Sequence, residues 1–139
     1  MLSTLIKGGR KMINFNDYQA LLYIKLKEVQ LDGKDIAIYD KVPANAKFPF
    51  IIVSDYEFDG GESKDCSFII NQNIEIWSDY QGKKEINSIV SLALAKANEL
   101  ASSELNDGLT IDAVNTMLST VKEVEGFFNA NLVINFEIY

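Results

Sequence analysis

The segment from Phe127 to Tyr139 constrains the fold more tightly than any other part of the chain. Phe128, Ala130, Leu132, Ile134, Phe136 and Ile138 fall on one side of a two-residue period, and Asn129, Asn131, Asn135 and Glu137 on the other. That period belongs to a β-strand with one buried face. Phe68 to Trp77 repeats the pattern: Phe68, Ile70, Ile74 and Ile76 oppose Asn71, Asn73 and Glu75, with Gln72 the one polar residue on the apolar side. Two such strands need an apolar cover for one face, while the amide-rich face stays wet or meets a partner.

Two helical segments supply the cover. Asn14-Phe15-Asn16-Asp17 offers N-cap residues, and Tyr18, Leu22, Leu26 and Val29 form a stripe with Lys25, Lys27 and Glu28 toward solvent. This spacing predicts a helix from Asp17 to Val29, ended by Leu31-Asp32-Gly33-Lys34-Asp35 with Gly33 as the stop. Ser78-Asp79 is expected to cap a second helix beginning near Gln81, with Ile86, Ile89, Val90, Ala93, Ala97 and Leu100 on its buried face.

The remaining strands follow from short apolar runs. Ile36–Tyr39 is one; Phe50–Val53, too apolar to be half exposed, continues to Asp59 as another. Between them lies a non-ladder crossing that holds both prolines, Pro43 and Pro49. Gly60-Gly61 opens a polar loop, Asn106-Asp107-Gly108 makes a turn, and Glu125-Gly126 joins strands over 109–124 and 127–139 as a hairpin. The order is α-β-β-β-α-β-β. Adjacent strands without intervening helices predict antiparallel pairing, so the fold class is α+β, with two helices packed on one face of a mostly antiparallel sheet. One domain is expected over 14–139. Residues 1–13 read as a flexible basic leader, with Met12 as a candidate true start: residues 1–16 hold Lys7, Arg10 and Lys11 and no acid, leaving −10 of the total −7 on the rest.

Chemistry is constrained mainly by what the chain omits. It has no histidine, which removes Ser-His-Asp and Cys-His schemes, His-ligated metals and the usual proton carrier near neutral pH. Cys66 is the only cysteine, so neither an intrachain disulfide nor a Cys-rich zinc site can form, and a passive thiol in a reducing cytoplasm is expected. Bulk charge of −7 disfavours specific nucleic acid binding, and no apolar run is long enough to span a bilayer. Asp55, Glu57, Asp59 and Gly60 imitate the start of a calcium loop, but position twelve is Cys66 rather than a bidentate Glu. Acids outward at a strand end explain them better. Gly82-Lys83-Lys84 lacks the upstream glycine and the following Ser/Thr of a phosphate loop. No catalytic, cofactor-binding or metal residue is therefore predicted, and no cofactor. Trp77 falls on the polar face, where it either caps the helix entry or sits in an interface.

Two segments carry a family resemblance. Tyr39-Asp40-Lys41-Val42-Pro43-Ala44-Asn45-Ala46-Lys47-Phe48-Pro49 runs into Phe50–Val53, and Ile74-Glu75-Ile76-Trp77-Ser78-Asp79-Tyr80-Gln81-Gly82 runs into a helix. With the first helix and the terminal hairpin, they resemble the small tail completion, or tail terminator, proteins that join head and tail in long-tailed bacteriophages and prophages. The resemblance covers the chain from about Met12. It implies a non-enzymatic ring of six copies that closes the head-proximal end of the tail tube. Its partners would be other copies of itself, the tail tube protein and the head connector protein. Its place would be the host bacterial cytoplasm during assembly and then the virion neck. Asp59, Gly60, Gly61, Glu62, Asp65 and Trp77 are the candidate interface. The alternatives are another neck component, such as a head-completion, connector or minor tail protein, and a small ligand-binding domain or enzyme subunit.

Overall fold

The structure, a computed structural model, describes residues 13–60, 68–105 and 108–139. Helix α1 (Phe15–Leu26) starts where the Asn14 side chain accepts a hydrogen bond from the Asp17 N–H at 3.1 Å. Tyr18, Leu22 and Leu26 are its buried stripe, and Ile13 is buried just ahead of it. The helix stops before Val29, and a ribbon of β1 (Gln30–Leu31) and β2 (Lys34–Asp35) follows. At its turn Asp32 and Gly33 have φ of 53° and 79°. Two consecutive positive φ values make a type I′ hairpin, so Gly33 closes a β-turn rather than stopping the helix.

The main sheet has the order β3-β4-β5-β7-β6, with β3 (Ala37–Tyr39), β4 (Phe50–Asp59), β5 (Phe68–Ser78), β6 (Ile111–Val124) and β7 (Phe127–Ile138). Every neighbouring pair is antiparallel except β3 and β4, which are parallel with Ala37 opposite Phe50 and Tyr39 opposite Ile52. The proline-containing segment 40–49 is long enough to carry the chain back to the starting side, which a tight turn cannot do. Glu125 and Gly126, at φ 51° and 88°, form a type I′ turn in the expected hairpin between β6 and β7.

Both helices cover the same face. Ile51, Val53, Ile70, Ile74, Ile76, Leu132, Ile134 and Phe136 form its buried floor, under Leu22, Leu26, Ile86, Ile89, Ala93 and Ala97. Each Val, Leu, Ile or Phe among them stabilises by about 1.5–3 kcal/mol on full burial. The Tyr18 ring meets Phe136 edge-on at 5.5 Å. Helix α2 (Lys84–Asn98) begins later than Gln81 because Gly82, at φ 128°, breaks the helical path. Ser78 does not cap it. Its hydroxyl donates to Glu85 Oε1 at 2.6 Å and accepts from the Tyr80 N–H at 3.1 Å, bracing the end of β5 against the first turn of α2.

A surface quartet ties the two helices together. Lys25 Nζ lies 3.0 Å from Glu99 and 3.7 Å from Glu28, while Lys96 Nζ lies 3.1 Å from Glu28 and 3.6 Å from Glu99. The hydrogen bond to Lys25 holds the Glu99 carboxyl below the usual carboxylate range, and the same bond raises Lys25 above the usual lysine range.

Candidate assembly surfaces

The face of the sheet away from the helices is the amide-rich one. Its register positions include Asn71, Asn73, Glu75 and Trp77 on β5 and Asn129, Asn131, Asn135 and Glu137 on β7. These side chains bind one another. Asn135 Nδ2 donates to Asn71 Oδ1 at 3.0 Å across the strands, and Asn131 Nδ2 donates to Asn129 Oδ1 at 2.8 Å. Asn129 is only 3% exposed despite facing outward, and its Nδ2 lies 3.4 Å from the Ile76 carbonyl. The face is therefore an array of hydrogen-bonded amides with two carboxylates, Glu75 and Glu137, among them, and no described helix covers it.

At one end this face turns aromatic. Phe48 stacks on Phe127 with ring centroids 4.8 Å apart, and also contacts Phe50 at 5.1 Å. Trp77 is the register partner of Phe50, half-buried, with Nε1 donating to Glu75 Oε1 at 3.2 Å. It makes none of the helix-entry bonds, which belong to Ser78. Asp59 pairs with Ile69, eight positions along β5 from Trp77, so the two lie about 27 Å apart at opposite ends of the face. Gly60 follows Asp59, half-buried. Gly61, Glu62, Asp65 and Cys66 lie outside the described residues, as do residues 1–12 and the Asn106-Asp107 part of the predicted turn. The structure thus gives Asp59 and Trp77 separate neighbourhoods rather than one patch.

The acids of the imitation calcium loop are on a strand. Asp55, Glu57 and Asp59 are exposed on β4, and the register slips between Val53 and Tyr56, a β-bulge at Ser54-Asp55. Gln72, the polar exception on the apolar face, explains how the bulge is tolerated. It is 1% exposed; its Nε2 donates to the Ser54 and Asn73 carbonyls at 3.0 Å each and lies 3.3 Å from the Asp55 carbonyl, while its Oε1 accepts from the Tyr18 hydroxyl at 2.7 Å. Burial pushes the Tyr18 hydroxyl well above the usual tyrosine range, with Tyr56 adding to it. A groove of about 500 Å³ between the β1-β2 ribbon and Lys47-Phe48-Pro49 brings Asp32, Lys34, Asp35 and Lys47 together, all exposed.

Strand β6 is the surface the sequence reading did not single out. It forms one edge of the sheet and is exposed over most of its length, with Met117 62% and Leu118 54% exposed. The loop after α2 covers only its first residue: the Ser102 N–H donates to the Ile111 carbonyl at 2.7 Å, and the Ile111 N–H to Ser103 at 2.8 Å. The available signal was the uncharged run from Ala113 to Val121, which mixes Asn, Ser and Thr with apolar residues and lacks a clean two-residue alternation.

No family model matches the chain, and no curated protein does. Among solved structures, the fold is similar to that of a chain in the virion of a native gene transfer agent particle, with a TM-score of 0.66 and 17% sequence identity, over 89% of this chain and 96% of that one. At that identity the likeness is one of fold, and it extends over nearly the whole of both chains.

Proposed function

We propose that this chain is a structural assembly protein of a phage or prophage tail, a tail completion protein that forms a ring on the head-proximal end of the tail tube and joins it to the head connector. The likeness in fold and extent to a chain of a virion carries the reading. The resemblance of Tyr39–Val53 and Ile74–Gly82 to tail completion proteins supports the neck as its place. The surfaces suit the role. An uncovered amide face and an aromatic corner at Phe48, Phe50 and Phe127 are joining elements, and contacts repeated by rotation close into a ring. The work assigned to the chain is binding rather than catalysis.

An acidic body also lets DNA pass through such a ring without adhering, by like-charge repulsion. The test is electron microscopy of tails assembled with the gene deleted. Tubes of unregulated length, or tubes that do not join heads, are the expected result. Tubes of normal fixed length that still join heads would refute the assignment.

A further inference from the structure

Edge strands of stable monomers are blunted by lysines, prolines, short length or covering loops, because a free edge templates pairing with another chain. The opposite edge of this sheet follows the rule: β3 has three residues and is followed by the proline-containing segment, and the exposed half of β4 carries Asp55 and Glu57. β6 does not. From Ala113 to Val121 it has no charge, no proline and no glycine. Beyond Ile111 no described residue bonds to its outer edge. Its protective devices are the register shifts at Ile111/Ala113 and Thr116/Leu118 and the lone lysine, Lys122, near its end; past the second shift Leu118–Val124 runs in unbroken register against Val133–Phe127.

We propose that Leu118–Val124 pairs antiparallel with the same segment of a second copy, about a two-fold axis at Val121, joining two five-stranded sheets into one. Charge selects the occupant. Each copy carries −7, so two copies approach closely only through surfaces that are neutral or complementary. Within Leu118–Val124 the single acid, Glu123, is offset by Lys122, so the segment is neutral overall.

The register supports the choice. The run has seven residues centred on Val121, so self-pairing about that residue uses all of them. Leu118 then faces Val124, Ser119 faces Glu123, Thr120 faces Lys122 and Val121 faces itself, with no like charges directly opposed. Leu118, more than half exposed in the monomer, gains an apolar neighbour. A two-fold contact of this kind stops at two copies. Its area is that of one strand pair, below the standard interface size, so the dimer is concentration-dependent. The inference does not rest on the tail assignment and stands or falls without it.

The test is sedimentation analysis of the full chain over a concentration series, with two register-reading variants. Thr120 is exposed, so neither substitution threatens the fold. Thr120→Glu sets two carboxylates opposite two Lys122 side chains and should tighten the dimer about fivefold, and Thr120→Lys should weaken it by at least as much. A mere net-charge effect has the opposite sign, since the glutamate adds to the repulsion between acidic copies. In a Cys66→Ser background, Val121→Cys should yield a disulfide-linked dimer on mild oxidation, because the two residues meet at the axis. A chain that stays monomeric throughout would overturn the proposal. So would oligomers larger than two, a dimer whose Thr120 variants follow net charge, or a dimer that forms no bond through Val121→Cys.

Discussion

Replacing Gln72 by leucine tests the account of the β4 bulge. The side chain makes three short hydrogen bonds, to Tyr18, Ser54 and Asn73, all from a position 1% exposed. Each neutral bond contributes about 1 kcal/mol net, and a stranded buried hydroxyl costs about 1–3 kcal/mol more. Gln72→Leu removes the bonds and strands the Tyr18 hydroxyl, while Leu fits the apolar face, so a loss of about 3–5 kcal/mol follows. That is a large part of the roughly 5–15 kcal/mol that holds a domain folded. Tyr18→Phe alone removes one bond and should cost about 1–2 kcal/mol. In the double variant no hydroxyl is stranded, so the loss should fall short of the sum of the single losses by about 1–2 kcal/mol. Urea denaturation followed by circular dichroism and by Trp77 emission gives all four stabilities, provided the slopes agree. A Gln72→Leu loss below about 1 kcal/mol, or additive single losses, would refute the claim that Gln72 clamps the bulge to the core.

Other consequences follow from particular groups. The lowered Glu99 contributes stability that is present above the ordinary carboxylate range and is lost as pH falls through its depressed value; the raised Lys25 contributes stability lost only as pH rises past the ordinary lysine range. Melting temperature should therefore fall toward acid less steeply in Glu99→Gln than in the parent, by a small margin because the quartet is solvent-exposed. Of the six tyrosines, Tyr18 should remain un-ionised in the native chain at pH values where the urea-unfolded chain has all six titrated, and absorbance near 295 nm reads the missing tyrosinate. Gly126→Ala meets no atom within 4 Å but must hold φ 88°, so it should cost about 1–2 kcal/mol through the backbone alone, measured by denaturant midpoint. Leu132→Ala, fully buried under the helices, should cost about 2–5 kcal/mol on the same assay.

Periodicity made the long elements legible. The alternation in β5 and β7, the stripe of α2 and the Glu125-Gly126 turn each follow from neighbours along the chain, and each is where it is expected. Elements set by partners distant in sequence were not legible. Nothing in Ala37-Ile38-Tyr39 encodes strand direction, and its parallel pairing emerges only once segment 40–49 has crossed the molecule. Gln72 stood out as a polar residue on an apolar face, but its purpose depends on a register slip in the neighbouring strand, which local sequence does not display. Asp32-Gly33 carried a hairpin signal whose two-residue flanks were too short to show alternation. Trp77 was correctly read as outward-facing, while its distance from Asp59 required the β4-β5 register.

The position of β7 within the sheet bears on how the molecule is made. It lies between β5 and β6, and its Phe136 packs against Tyr18 of the first helix. An element late in chain order is therefore an interior one, and helix α1 finds part of its floor only after the other elements described have been made. A nascent chain still lacking β7 has β5 and β6 unjoined, so the sheet cannot close stepwise during translation. Chains truncated before β7 should expose the edges of β5 and β6 and be cut by proteases that leave the folded chain intact.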